Sequence, residues 1–241
     1  VVKILSLGNS YFQFKQFKIC QDQSAMKVST DACLFGAITP VSENDSVLDI
    51  GTGTGLLALM LAQKCNCEID AVERDAPSYS QAVANVSMSP WSSRIKVYHA
   101  DIRLFHPGKK YSLIICNPPF FENHRRSSIA QQNTAKHADQ LSFRELIEAV
   151  SKNLKSDGLF AVLLPANIIE KFVMLSAMSS LHVLYHVYIS DRESLHPKRV
   201  ITIFSPENQE TKESNSIYIK DAGGNYSKQF RELLQPYYLH L

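Results

Sequence analysis

The chain has 241 residues, 25 Lys and Arg against 23 Asp and Glu for a formal charge of +2, and 45% aliphatic and aromatic side chains. This length and apolar content suit one domain with a substantial core and exclude wholesale disorder or a fibrous repeat. No apolar run approaches the ~20 residues that span a bilayer, so no membrane partner is expected, and a charge so near zero speaks against indiscriminate coating of nucleic acid.

In chain order, residues 47–50 form a short apolar run closed by glycines, and an Ala/Leu/Met-rich helix is expected over 56–63. Residues 69–72 read as a strand, 78–87 as a helix, and 95–99 and 111–116 as two more strands. A polar segment, 122–140, precedes a helix over 143–154, where Phe143, Leu146, Ile147, Val150 and Leu154 fall at helical spacing. Asp157-Gly158 is expected to turn the chain into a strand over 159–164. A helix over 168–178 and strands over 182–189 and 200–204 follow, and 206–216 reads as a polar loop. Continuous apolar strands alternating with helices predict an α/β fold, a doubly wound and mostly parallel sheet of seven strands with helices on both faces. Residues 1–45 are expected to form an amino-terminal extension or lid, and 46–241 the catalytic domain.

Charge is uneven along this frame: −3 over 48–75, +4 over 76–120 and +2 over 121–155. The acidic stretch holds the first chemical motif, Asp49-Ile50-Gly51-Thr52-Gly53-Thr54-Gly55, a strand running into three alternate glycines and then a helix. Glycine permits positive φ and lets a ligand lie against the backbone, and the helix start offers free N–H groups. Glu73 follows at the end of the second strand, where a carboxylate can accept both hydroxyls of a ribose, with Arg74 beside it. Asp101 after the third strand suits an adenine amino group, with Ile102 against the ring; the same carboxylate would serve equally as a helix cap. A nicotinamide enzyme and a methyltransferase both need these features. Asn117-Pro118-Pro119-Phe120 at the end of the fourth strand decides between them. The Asn oxygen and the Pro118 carbonyl can accept both hydrogens of an exocyclic amine, and Phe120 offers a stacking face. The five cysteines (Cys20, Cys33, Cys65, Cys67, Cys116) are odd in number and unpatterned, so free thiols in a reducing cytosol and no metal site are expected.

The strand-end motifs resemble those of class I S-adenosylmethionine-dependent amino-methyltransferases with an Asn-Pro-Pro-Phe signature. Further matches are Phe14-Lys15-Gln16-Phe17, the run from Met26 to Ala37, Phe121-Glu122-Asn123, Ala135-Lys136-His137, Lys198-Arg199, Ile217-Tyr218-Ile219 and Tyr226-Ser227. Through these the chain is most similar to the bacterial enzymes that methylate N6 of adenine 37, beside the anticodon of tRNA1(Val). Ser29 stands where that group usually has Gly, and Phe35 where it has Leu.

The resemblance implies a Rossmann-like fold whose last strand is antiparallel, S-adenosylmethionine as cofactor, tRNA as partner, and a cytoplasmic monomer. Carried onto this chain, it implies Asn117, Pro118, Pro119 and Phe120 as catalytic. Thr30, Asp49, Gly51, Gly53, Gly55, Glu73, Arg74, Asp101, Ile102 and Asn117 are expected around the cofactor, with Thr30 or Asp31 otherwise capping a helix. Phe121, Arg125, Arg126, Lys136, Lys198 and Arg199 are expected on the RNA. Ribosomal-RNA guanine-N2 methyltransferases share the Asn-Pro-Pro-Phe element and are the nearest rival. A nicotinamide-dependent oxidoreductase leaves that element unexplained, and a non-catalytic RNA-binding protein has no need of a complete motif set.

Overall fold

The computed structural model describes residues 9–24, 26–119 and 141–241. An amino-terminal hairpin, β1 (Tyr11–Gln13) and β2 (Lys18–Cys20), leads into α1 (Thr30–Ile38). Next come β3 (Ser46–Ile50), α2 (Leu56–Lys64), β4 (Glu68–Glu73), α3 (Ala76–Ser87), β5 (Ile95–His99), a 3-10 turn (Ile102–Leu104) and β6 (Tyr111–Cys116). The remainder is α4 (Phe143–Asn153), β7 (Leu154–Pro165), α5 (Ile169–Ala177), β8 (His182–Ser190), β9 (Arg199–Ser205), β10 (Asn215–Tyr218) and α6 (Lys228–Leu234).

Eight of these strands make one sheet in the order β10-β8-β9-β7-β6-β3-β4-β5. Only β9 runs against its neighbours, β7 and β8, so the expected antiparallel strand is present. Val47, Leu48, Asp49 and Ile50 of β3 are all buried, as they must be in a strand covered on both faces. Every residue of α2 from Leu56 to Ala62 is buried, because α1 lies on its outer side. α4 is amphipathic instead: Leu146, Ile147, Ala149 and Val150 pack inward. A capping box between Ser142 and Glu145 fixes its start. From β3 the chain builds outward to β4 and β5, then returns to β6 on the other side of β3. The carboxyl ends of β3 and β6 therefore open a crevice where the winding reverses, the usual ligand position in such sheets.

The structure corrects three expectations. Among the described residues the sheet has eight strands rather than seven, because β10 pairs in parallel with β8 by its main chain although Asn215 and Ser216 are polar. β7 does not turn at Asp157-Gly158 but continues from the end of α4. At Gly158 a Cβ would lie 2.8 Å from Leu154 Cδ1 and 3.1 Å from the Ser112 carbonyl oxygen, so glycine is there for close approach between β7 and β6. Cys65 and Cys67 are joined as a disulfide; Cys20, Cys33 and Cys116 are free thiols.

The amino-terminal segment shares its core with the sheet. Phe14, Phe17 and Ile19 are buried in the same apolar cluster as α2. The Asn85 side chain of α3 accepts from Cys20 N at 2.9 Å and donates to Cys20 O at 2.8 Å, completing β2's edge hydrogen bonds.

Candidate active site

The turn from β3 into α2 carries φ of +69°, +59° and +82° at Gly51, Gly53 and Gly55, a region L side chains rarely adopt. A Cβ built on Gly51 or Gly53 meets nothing within 4 Å, so both glycines face open space, whereas Gly55 abuts Ala82 and caps α2. Asp49 lies wholly buried below this turn. Its Oδ2 accepts from the Thr52 hydroxyl at 2.5 Å, while Oδ1 has no close hydrogen-bond partner among the described residues. Burial pushes this carboxyl up to about 7, against the opposing pull of the Thr52 hydrogen bond.

At the end of β4, Glu73 accepts from Gly53 N at 2.9 Å through Oε2 and from Asp75 N at 2.8 Å through Oε1. Two backbone donors thus orient it, and a carboxylate's remaining lone pairs stay open for two hydroxyls. Asp75 in turn caps α3 by accepting from Ser78 N at 3.0 Å. At the end of β5, Asp101 is both things the sequence allowed: it caps the 3-10 turn and stands in the cleft wall. Arg103 donates to it from the backbone N at 3.0 Å, Nε at 2.9 Å and Nη2 at 2.5 Å, and Arg74 Nη1 lies 3.5 Å away. The Arg103 hydrogen bonds hold the Asp101 carboxyl below its usual range.

β6 ends in buried Cys116 and delivers Asn117, Pro118 and Pro119 to the same crevice. Asn117 Oδ1 is buried and has no hydrogen-bond partner among the described residues. A buried amide oxygen left unpaired costs about 1–3 kcal/mol, so the site is built for a donor that arrives with a ligand.

These groups line one cleft of about 400 Å³, a volume suited to a small-molecule ligand. It gathers Gly51, Gly53, Glu73, Arg74, Asp101, Ile102, Asn117, Pro118 and Pro119, nine of the expected site residues. Asp49 and Gly55 support it from beneath. Thr30 does not line it: Ser29 caps α1 by accepting from Ala32 N, and the Thr30 side chain is bonded to the Tyr238 hydroxyl. Lys198 and Arg199 stand at the same end of the sheet, but each meets an acid, Asp191 for Lys198 and Asp31 for Arg199 at 3.6 Å. Phe120, Phe121, Arg125, Arg126 and Lys136 lie outside the described residues. Sequence reasoning missed Ser24 and Met26, which the amino-terminal segment brings into the cleft, and Arg103, which lines it from the 3-10 turn. Ser24 is placed by long-range contacts, Ser78 Oγ to Ser24 Oγ and Gln23 N to Gln81 Oε1, that no local pattern signals.

The methyltransferase small domain family matches residues 30–186. The tRNA1(Val) (adenine(37)-N6)-methyltransferase of Bacteroides fragilis is 38% identical over 238 residues, covering 98% of this chain and 100% of the relative. That of Dyadobacter fermentans is 40% identical over 236 residues, covering 96% of this chain and 98% of the relative. Among solved structures, a predicted O-methyltransferase from Agrobacterium tumefaciens aligns with a TM-score of 0.62 at 16% identity, over 86% of this chain and 96% of the other, a likeness of fold.

Proposed function

Because the chain belongs to the methyltransferase small domain family and, within it, to the tRNA1(Val) (adenine(37)-N6)-methyltransferases, we infer from its cleft how it methylates N6 of adenine 37 in tRNA. The cofactor is S-adenosylmethionine, which supplies an electrophilic methyl group on a sulfonium. The chain's residues fit it. The open backbone at Gly51 and Gly53 offers a cradle that side chains would fill, Glu73 holds lone pairs for the ribose hydroxyls, and Asp101 and Ile102 form the adenine side.

The unpaired Asn117 Oδ1 carries the reading. An adenine amine is a poor nucleophile because its lone pair is delocalised into the ring. Asn117 Oδ1 and the Pro118 carbonyl accept its two hydrogens, draw the lone pair out of conjugation, and stabilise the positive charge that grows on nitrogen. Holding donor and acceptor in line contributes up to ~7–11 kcal/mol in favourable systems. No strong base is needed, since the proton leaves to water after transfer. The target base must first leave its stack, which costs a few kcal/mol, and Phe120 is the face that receives it, at ~1–3 kcal/mol.

For RNA, Arg125, Arg126 and Lys136 remain the proposed phosphate contacts, with Phe121 beside the base. Lys198 and Arg199 take part by exchanging Asp191 and Asp31 for phosphate, so their contribution is smaller than two free cations would give. No helix among the described residues is long and apolar enough to cross a membrane, and the reading puts a monomer in the cytoplasm with its tRNA.

Asn117→Ala tests this directly. We expect methyl transfer to fall ~10²–10³-fold, as when one preorganised hydrogen-bonding group is lost, while S-adenosylhomocysteine binding stays within a few-fold. Undiminished turnover in the variant would remove Asn117 from the mechanism.

A further inference from the structure

Arg103 touches two compartments. On one side it clamps Asp101 in the cofactor cleft; on the other, Nη1 donates to Glu145 Oε1 at 3.1 Å, and its side chain keeps 28% exposure. Glu145 belongs to the box that starts α4, where Oε2 accepts from Ser142 N at 2.8 Å. Beyond Arg103 lies a second groove of about 650 Å³ between the 103–110 loop and α4, sharing Ile102 and Arg103 with the cofactor cleft.

This groove is net basic. Arg103, Lys109, Lys110 and Lys152 line it, against Glu145 and Glu148. Lys109 is committed to Asp70 at 2.8 Å, but among the described residues neither Lys110 nor Lys152 makes an ion pair. Ile102 and Arg103 form the shared wall between the two, and the groove runs from there toward Lys109 and Lys110, which precede β6 at the opposite end of the sheet from Asn117.

Asp101 supplies the coupling. A carboxylate has about four lone-pair sites. Here Arg103 N and Nε fill those of Oδ1, and Nη2 takes one on Oδ2, with Arg74 near the other. An adenine amine can be received only if a guanidinium gives way. Arg103 can give way at least cost if another anion, such as a phosphodiester, meets it on the groove side.

We propose that Arg103 is a positioning residue that exchanges partners, releasing Asp101 to the cofactor's adenine and turning its guanidinium to a backbone phosphate of the RNA in the 103–110/α4 groove, so that cofactor and RNA bind with positive cooperativity. The proposal rests on the tRNA methyltransferase reading. Linkage is reciprocal, so each ligand tightens the other by the same factor.

The test measures the affinity of S-adenosylhomocysteine with and without saturating unmodified tRNA1(Val) transcript. In the wild-type protein the transcript tightens binding about fivefold or more, within the usual range of coupling between sites. In Arg103→Gln that factor falls to about one because affinity without RNA rises to near the value the wild-type protein reaches with transcript, and Arg103→Lys restores part of the coupling. A wild-type protein without linkage, or Arg103→Gln with the factor intact, overturns the proposal. As a separate check on the groove, the Lys110→Glu/Lys152→Glu double variant weakens transcript binding about tenfold and lowers its salt dependence, with cofactor affinity unchanged. Undiminished transcript binding in that variant also overturns the proposal. Failure of the underlying reading looks different: the wild-type protein would then bind the cofactor product yet leave the transcript unmethylated.

Discussion

Two aspartates flank the cofactor cleft and behave oppositely. Asp49, under the glycine turn, is fully buried, has one oxygen without a close hydrogen-bond partner among the described residues and is driven by desolvation toward its neutral form, up to about 7. Asp101, in the wall at the end of β5, is held ionised by Arg103 and Arg74. Both stand at carboxyl ends of parallel strands, so position in the fold does not distinguish them. Neighbouring donors do: Asp49 has the Thr52 hydroxyl and the Ala58 backbone N–H, whereas Asp101 has a forked guanidinium, a backbone N–H and a second arginine. The floor of the cleft thus stores an unfavourable charge that a cationic cofactor relieves, and the wall presents a fixed charge that orients an adenine.

The largest expected effect comes from neutralising the floor. Between the ordinary carboxyl value of 3.8 and about 7, the folded protein holds a proton on Asp49 that the unfolded chain has lost. Stability from this group is therefore full below 3.8, falls as pH rises through that window, and levels off above 7. Asp49→Asn abolishes the slope. Its melting temperature, near that of wild type below about pH 4, should exceed it by several degrees at about pH 8, with an upper bound of roughly 4 kcal/mol from the shift. The same variant binds S-adenosylmethionine more weakly at the higher pH. Thermal unfolding followed across pH checks the first part; parallel melting curves for the two proteins would dissolve the contrast between floor and wall.

A smaller effect is expected at the wall. Asp101→Asn removes one charge-assisted acceptor, worth ~1.5–3 kcal/mol, so cofactor affinity falls by about 10- to 100-fold. Because Asp101 is ionised throughout the neutral range, that loss does not vary between about pH 6 and 8, unlike the effect at Asp49. Calorimetric titration of S-adenosylhomocysteine at both pH values separates them, and a pH-dependent loss at Asp101 would make the two aspartates alike.

How far the sequence disclosed this arrangement depends on the range of the forces. β5 and β6 were legible to the residue because their apolar runs are bounded by polar or turn-forming neighbours, and the glycine turn because positive φ at alternate positions leaves few other residues possible. β10 was not. Only its Ile217 is buried, and it is held by main-chain pairing to β8, which leaves no side-chain pattern. Gly158 looked like a turn because a glycine needed for space and one needed for conformation are written identically. The cleft's strand-end residues were found because the fold brings strand ends together. Ser24, Met26 and Arg103 were missed because what places them lies on other elements, Gln81 and Ser78 for the first segment and Glu145 for the last. Lys198 and Arg199 were expected on the RNA from sequence, which does not show that the fold sets Asp191 and Asp31 beside them.

The most direct measurement is nucleoside mass spectrometry of tRNA1(Val), purified from a strain lacking this gene and treated with the protein and S-adenosylmethionine. N6-methyladenosine at position 37, formed by the wild-type protein and not by Asn117→Ala, is the predicted result. N2-methylguanosine, or methyl label recovered only in protein, would contradict it.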